Sequence, residues 1–454
     1  MAKPDLLMIK QKKLIIKTLI TLLLITVSLA EPVLAQDEQD SVYLDTVITH
    51  WPNDTIKFQG TVLMPDSVKH GWWSGYFKTG AKIIEGEYQQ GEKTGNWKSW
   101  TPSGKLIEDI HYENGPWIER FNNGEPKVTG EVKDTMKQGK WEFYDHSGQL
   151  REIVHFKDGT RHGLHKRWYQ NGQKAFDGAY KNGKKHGICT WWHENGNLEM
   201  KGKNIEGLQD SLWVFYHENG NKASEGSFVE GRPHGSWTYW YESGEKLREG
   251  QWDRGRKTGV WTNWYENGQK LQQGNFEEGR EEGEWTSWWE NGQIKDKGQF
   301  KKGMMHGEWK GFLPDGSPEY IANYRKDKKH GLWTTFYENG NKQFEHHMKN
   351  NIKHGESTTY RSDGTVKQKG DYKNGEKDGN WKFFAGYGAL IKEQGFEEGK
   401  PDGAFIEYFA NRQVKVEGEY KDHQKHGTWK FYNERGKLLR EIEYKEGEII
   451  HSKR

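Results

Sequence analysis

Apolar residues in this chain almost never come in runs. In His234 to Lys257, HGSWTYWYESGEKLREGQWDRGRK, five aromatics occur, and glycines and charges keep even the longest apolar run, Tyr239 to Tyr241, to three residues. Such spacing shows no helical period, whereas short aromatic-rich segments bounded by Gly, Asn and Ser read as strands joined by tight turns. The pattern also repeats. A glycine followed two residues later by Trp recurs at Gly71, Gly95, Gly115 and Gly139, and then every 24 residues to Gly427. Numbering that glycine as position 0 gives sixteen units, with Ser211 the only other residue at the origin and the Gly95 unit short by four residues.

The columns define one structural unit. Position 2 is Trp in twelve units: Trp73, Trp97, Trp117, Trp141, Trp213, Trp237, Trp261, Trp285, Trp309, Trp333, Trp381 and Trp429. Position 5 is aromatic in all but one unit, position 9 is Gly in fifteen, position 15 is most often Gly, and position 17 is usually Tyr or Phe. Gly at position 9 usually follows Asn, Ser or Asp, as in Asn171-Gly172 and Asn267-Gly268. Asn-Gly between strand-like runs signals a β-hairpin with a two-residue type I′ turn. Each unit is therefore expected to be a hairpin, with a second Gly-containing turn leading to the next.

That register sets position 2 opposite position 15, and position 0 opposite position 17. Each Trp is then expected to cover the bare backbone of its cross-strand glycine, Trp237 over Gly250. Position 5 should point away from position 2. Either both faces carry aromatics or a bulge re-aims the chain. Sixteen hairpins give about 32 strands, each too small to be stable without its neighbours. The expected fold is all-β: an elongated array of tandem β-hairpins in a solenoid-like meander sheet. Residues 36–70 read as a cap with one degenerate repeat, 71–447 as the sixteen repeats and 448–454 as a polar tail.

The recurring G-x-W-x-x-W-Y-x-N-G-x-K followed by G-x-Y-x-x-G-K-x-H-G resembles the MORN repeat, specifically its bacterial variant. The resemblance covers over four fifths of the chain. It implies a hairpin array used for binding, scaffolding or membrane association, and some relatives carry an antitoxin label. It implies no single activity.

Composition supports a folded but aliphatic-poor chain, with 23 Trp, 21 Tyr, 19 Phe and 56 Gly in 454 residues and a mean hydropathy of -1.10. The first 35 residues read as a cleaved signal peptide: a basic stretch (Lys10, Lys12, Lys13, Lys17), an apolar run from about Leu19 to Leu29, and Val33-Leu34-Ala35 as the cleavage pattern. This predicts export to the periplasm, the outer membrane or the medium. Losing that segment removes five Lys and two acids, so the formal charge falls from +2 to about -1. A near-neutral chain gives no electrostatic reason to expect nucleic acid, and none for an anionic membrane.

No enzyme chemistry stands out. GAYKNGKK (Gly178 to Lys185) has phosphate-loop spacing but lacks the following Ser or Thr, and the same spacing punctuates turns throughout. Histidine occupies position 23 in eight units, but neighbours ~10 Å apart cannot share one metal. The single Cys189 stands in the Trp column and reads as filler. No catalytic, metal or cofactor site is expected. The expected function is an exported, non-enzymatic scaffold for a protein partner, with the Trp column (Trp73, Trp97, Trp141, Trp213, Trp237, Trp261, Trp285, Trp309, Trp333, Trp381, Trp429) structural. The alternative is a cell-envelope glycan binder whose ligands stack on Trp240, Tyr241, Trp264, Tyr265, Trp288 and Trp289.

Overall fold

The structure is a computed structural model that describes residues 41–453. The expected signal segment and the first residues of the expected cap lie outside the described residues. Within them are 36 strands and no helix. The chain divides into two compact units between Thr94 and Gly95. In the first, Tyr43–His50, Ile56–Met64, Val68–Tyr76 and Lys82–Gln89 pair antiparallel in that order. In the second, strands that follow one another in sequence pair antiparallel as far as Leu438–Lys445 with Glu448–Lys453. Substantial contacts join only strands close in sequence, so each unit is an open meander with no second layer packed on it.

The strand total exceeds the expected 32 for identifiable reasons. The degenerate cap forms a full hairpin, Tyr43–His50 with Ile56–Met64. The segment read as a tail holds the strand Glu448–Lys453, and one outgoing strand is interrupted between Lys184–Lys185 and Gly187–Trp192.

The hairpin register is the expected one: Trp237 faces Gly250 and Gly235 faces Trp252. The turn that produces it is not. In Trp264–Lys270 the loop has three residues, Glu266, Asn267 and Gly268, closed by bonds from Tyr265 N to Gln269 O (2.8 Å) and from Gly268 N to Tyr265 O (3.0 Å). Gly268 alone is left-handed, at φ 82°, where a type I′ turn would need Asn267 there too. A bulge at Leu271 then absorbs the odd residue and restores Trp261 opposite Gly274. The turn with two left-handed residues is the other one, where Glu278 (φ 49°) and Gly279 (φ 83°) join Glu277 to Arg280.

Asn267 has other work. Its Oδ1 accepts from Gln269 N (2.9 Å) and its Nδ2 donates to Glu290 O (3.0 Å) in the next repeat. Asn171, Asn195, Asn219, Asn291, Asn339 and Asn411 repeat that outward bond, forming a ladder along one edge of the array.

A second bulge falls at the origin glycine. Between Gly274–Trp285 and Asn275–Glu282 the ladder slips by two residues, and Gly283 there is left-handed at φ 71°. With these bulges the parity is fixed. Positions 0, 2, 4, 13, 15, 17 and 22 share one face, and positions 1, 3, 5, 14 and 16 share the other. Both faces therefore carry aromatics, and the bulge near position 5 lies on the return strand.

Candidate binding face

The Trp face is held together between hairpins rather than within them. A methyl on Gly250 would overlap the ring of Trp261, and one on Gly226 the ring of Trp237. Trp141, Trp213, Trp285, Trp309, Trp381 and Trp429 likewise lie over the glycine eleven residues earlier, in the preceding hairpin, and Trp73 lies over Gly60, thirteen residues earlier. This corrects the expected cover of Trp237 over Gly250: the pairing exists, but the ring leans the other way. The indole N–H donates to the carbonyl ten residues earlier, Trp237 to Ser227 (3.1 Å), Trp261 to Gln251 (3.0 Å) and Trp285 to Asn275 (3.2 Å). That bond falls where the ladder slips, so the indole replaces a strand partner.

The chain itself shows the dependence of Trp on that glycine. Where position 15 is Val, His or Gln the following Trp is replaced: Val154 precedes His165, His346 precedes Ser357, and Gln394 precedes Phe405, whereas the short repeat keeps a half-buried Trp117 opposite Ile110. At Ala322 the following Trp333 is kept but displaced. It is only half-buried, unlike the other ten Trp of the expected structural column. Cys189 breaks the rule, since Gly178 lies beneath it; Phe176 fills the space beside that glycine. The thiol is fully buried and burial pushes its pKa up.

Trp261, Phe276, Trp285, Phe300 and Trp309 meet edge to face in succession, at centroid distances of 6.2, 5.2, 5.6 and 5.1 Å. Such contacts add about 0.5–1.5 kcal/mol each beyond the area they bury. Lysine at position 22 lies over this strip: Lys137, Lys257, Lys377 and Lys425 hold their ammonium 4.1–4.5 Å from the next Trp ring. Burial lowers the pKa of Lys257, Lys329, Lys353 and Lys377.

The six residues named as a ligand file are all half-buried. Tyr241, Tyr265 and Trp289 sit at the turn, and each donates to the next repeat: to Trp264 O (2.8 Å), Trp288 O (2.9 Å) and Phe312 O (2.9 Å). Trp240, Trp264 and Trp288 lie on the face opposite the Trp column, under the ammonium groups of Lys222, Lys246 and Lys270 at 5.6, 5.0 and 5.5 Å.

Beside the fixed strip on the Trp face run positions 4 and 13, whose chemistry changes from repeat to repeat. From Tyr239 the cross-strand neighbours read Arg248, Asn263, Gln272, Ser287, Asp296, Gly311, Tyr320 and Thr335. Tyr320 donates to Asp296 Oδ1 (2.7 Å), and burial with that carboxylate drives its hydroxyl pKa far upward. Where Trp333 is displaced, a groove of about 330 Å³ opens along Tyr320, Tyr324, Lys329, Trp333, Thr335 and Phe336. Among the described residues no cluster of His, Cys, Asp or Glu could hold a metal ion.

These features define a class, the repeat protein built of interlocked β-hairpins. The family model for the MORN repeat variant matches residues 93–114, 137–158, 161–182, 185–203, 209–230, 257–278, 281–302, 305–326, 329–350, 353–374 and 425–446. These segments make up over half of the chain, and the chain belongs to that family. No curated protein matches it in sequence. Among solved structures, a TcdB2-TccC3-Cdc42 crystal structure is 10% identical over 89% of this chain and 26% of its own, with a TM-score of 0.15. A TcdB2-TccC3 crystal structure is 11% identical over 91% and 31%, with a TM-score of 0.14. The chain thus spans about a quarter to a third of those proteins. At such TM-scores the likeness carries no argument.

Proposed function

We propose that the chain is an exported, non-enzymatic scaffold that holds an extended protein partner along its Trp face, in the periplasm or at the cell surface. One observation carries the reading. Positions 0, 2, 15 and 17 keep the hairpins together, while positions 4 and 13 lie beside them, mostly half-buried, and vary along the array from Phe and Trp to Arg, Asp and Gly. A fixed frame bearing a variable file is how repeat proteins present extended binding surfaces. The leader-like N-terminus supports export, and the family supports a scaffold. Photo-cross-linking residues placed at Gln272 and Thr335, with Gln299 and Lys310 on the other face as controls, test this in the native envelope. The expected result is one protein captured from the first pair only, with its cross-linked peptides in linear order. Equal capture from both faces would overturn it.

The file Trp240, Trp264 and Trp288 supports a second reading, an envelope glycan on the opposite face, because the rings recur in consecutive repeats and are half open to solvent. Peptidoglycan pull-down with Trp264→Ala and Trp288→Ala checks it, since undiminished binding removes those rings from any site.

A further inference from the structure

We propose that Tyr239, Arg248, Trp252 and Lys257 form a receptor for an Asp or Glu side chain of the extended partner. The inference rests on the scaffold reading above. Arg248 lies over the Tyr239 ring, its guanidinium carbon 4.1 Å from the centroid. Lys257 holds its ammonium 4.5 Å from the Trp261 ring and 4.8 Å from Phe276. Among the described residues neither cation has a carboxylate partner. On the opposite face of the same repeats, Lys222 pairs with Glu225 (2.6 Å) and Lys246 with Glu249 (2.8 Å).

The donors are also unused. Arg248 Nε is buried and bonds to nothing, and the buried Trp252 indole N–H has only the Tyr239 hydroxyl beside it. A buried N–H left unpaired costs about 1–3 kcal/mol, which an incoming acceptor would recover. The two cations oppose each other: burial first, and then the Arg248 charge, lowers the Lys257 pKa. The cross-strand neighbours on this face, Asn263 and Gln272, are neutral. Of the acids on this face, Glu281 lies two strands on, where its charge only partly offsets that lowering of Lys257 without pairing with it, and Asp296 is bound by Tyr320 (2.7 Å) and Ser287 (3.2 Å).

The surroundings select the anion. Trp261 and Phe276 are 3% and 8% exposed, so neither offers a ring face for a sugar to stack on, and Arg248 covers the Tyr239 ring. What remains is the edge of a guanidinium fork beside an indole N–H and an ammonium, which suits a planar carboxylate. In the repeat that begins at Gly379 the counterparts of Arg248 and Lys257 are Lys392 and Pro401, so the second cation is missing there, and Glu407 stands across the strand from Lys392.

The test uses the full chain and fluorescence anisotropy of fluorescein-labelled octaglutamate, with octaglutamine as the neutral probe. R248Q and K257M should each weaken octaglutamate binding about tenfold, and the double variant should bind it no better than octaglutamine. R248K, which keeps the charge without the fork, should fall between, and the turn variant K301Q/K302Q should bind as the parent does. Circular dichroism must be unchanged throughout. Equal binding by parent, R248Q, R248K and K257M, or equal loss in K301Q/K302Q, would overturn the receptor. If octaglutamate behaves as expected but Gln272 captures no protein, the receptor stands and the scaffold reading falls. If Gln272 captures a partner and the site variants bind octaglutamate unchanged, the reverse holds.

Discussion

Gly274→Ala should destabilise its repeat only because of a residue eleven positions away. Gly274 is buried and its backbone is extended, so alanine is conformationally acceptable there. The added methyl would overlap the five-membered side of the Trp285 indole. To relieve that overlap the ring must swing out, losing its bond to Asn275 O (3.2 Å) and its contacts with Phe276 and Phe300. Overpacking of this kind costs about 1–3 kcal/mol and the lost bond about 1 more, so a loss of about 2–3 kcal/mol is expected. Trp285→Ala alone should cost about 3–5 kcal/mol. In the Trp285→Ala background the new methyl has nothing to strike, and Gly274→Ala should be neutral or slightly stabilising. The coupling energy is therefore about 2 kcal/mol. An array need not unfold in one step, so the measurement is amide hydrogen exchange in Lys270–Glu277 and Arg280–Trp288. A 2 kcal/mol loss speeds exchange about thirtyfold. Equal cost of Gly274→Ala in both backgrounds would refute the interlock.

Three further outcomes follow from the same geometry. His346 is buried, its Nδ1 2.6 Å from Ser357 Oγ, and burial with the nearby Lys353 charge lowers its pKa to about 4. The unfolded chain binds that proton more tightly, so stability should be full above about pH 6.5 and fall by up to about 3 kcal/mol as pH drops to 4; urea melts of the parent against His346→Gly/Ser357→Trp, which should lack this slope, check it. Ala322→Gly should let Trp333 settle over its backbone and close the adjoining groove, gaining about 1 kcal/mol, seen as one 5-fluorotryptophan resonance losing its solvent isotope shift. Asn267→Ala removes the bonds to Gln269 N and Glu290 O and should cost about 1 kcal/mol, with faster exchange in both its own turn and the next.

Period, hairpin register and the shared face of positions 0, 2, 15 and 17 were legible in the sequence because strands have a strict two-residue parity, whereas the face of position 5 depended on where the bulges fall. The turn geometry was not, because Asn267 fits a type I′ turn and an inter-repeat bond equally well, and the second use shows only when the next repeat is in place. The direction of the Trp rings was hidden for a similar reason. Gly226 and Gly250 both flank Trp237, and nothing within one hairpin chooses between them. The paired breaks, such as His346 with Ser357, hold the answer in the sequence, but only when columns are compared eleven residues apart. The Lys column carries no signal in a hydropathy pattern, because long side chains hide their apolar stems from it. Arg248 and Lys257 looked ordinary, since their lack of a carboxylate partner is a property of the face and not of the spacing.

The lean of Trp237 onto Gly226 also settles which piece of chain can be moved. A cut at the turns carrying Gly255 or Gly279 would part every indole from the glycine it needs. A cut at the turns carrying Gly244 or Gly268 leaves each pair whole. A stretch exchanged, duplicated or lost between two such turns keeps each Trp–Gly pair wherever it lands, and only the contacts across the joined turn, such as Trp261 with Phe276 and Asn267 with Glu290 O, are made anew. The inheritable module therefore runs from the middle of one hairpin to the middle of the next, and the seam is its centre.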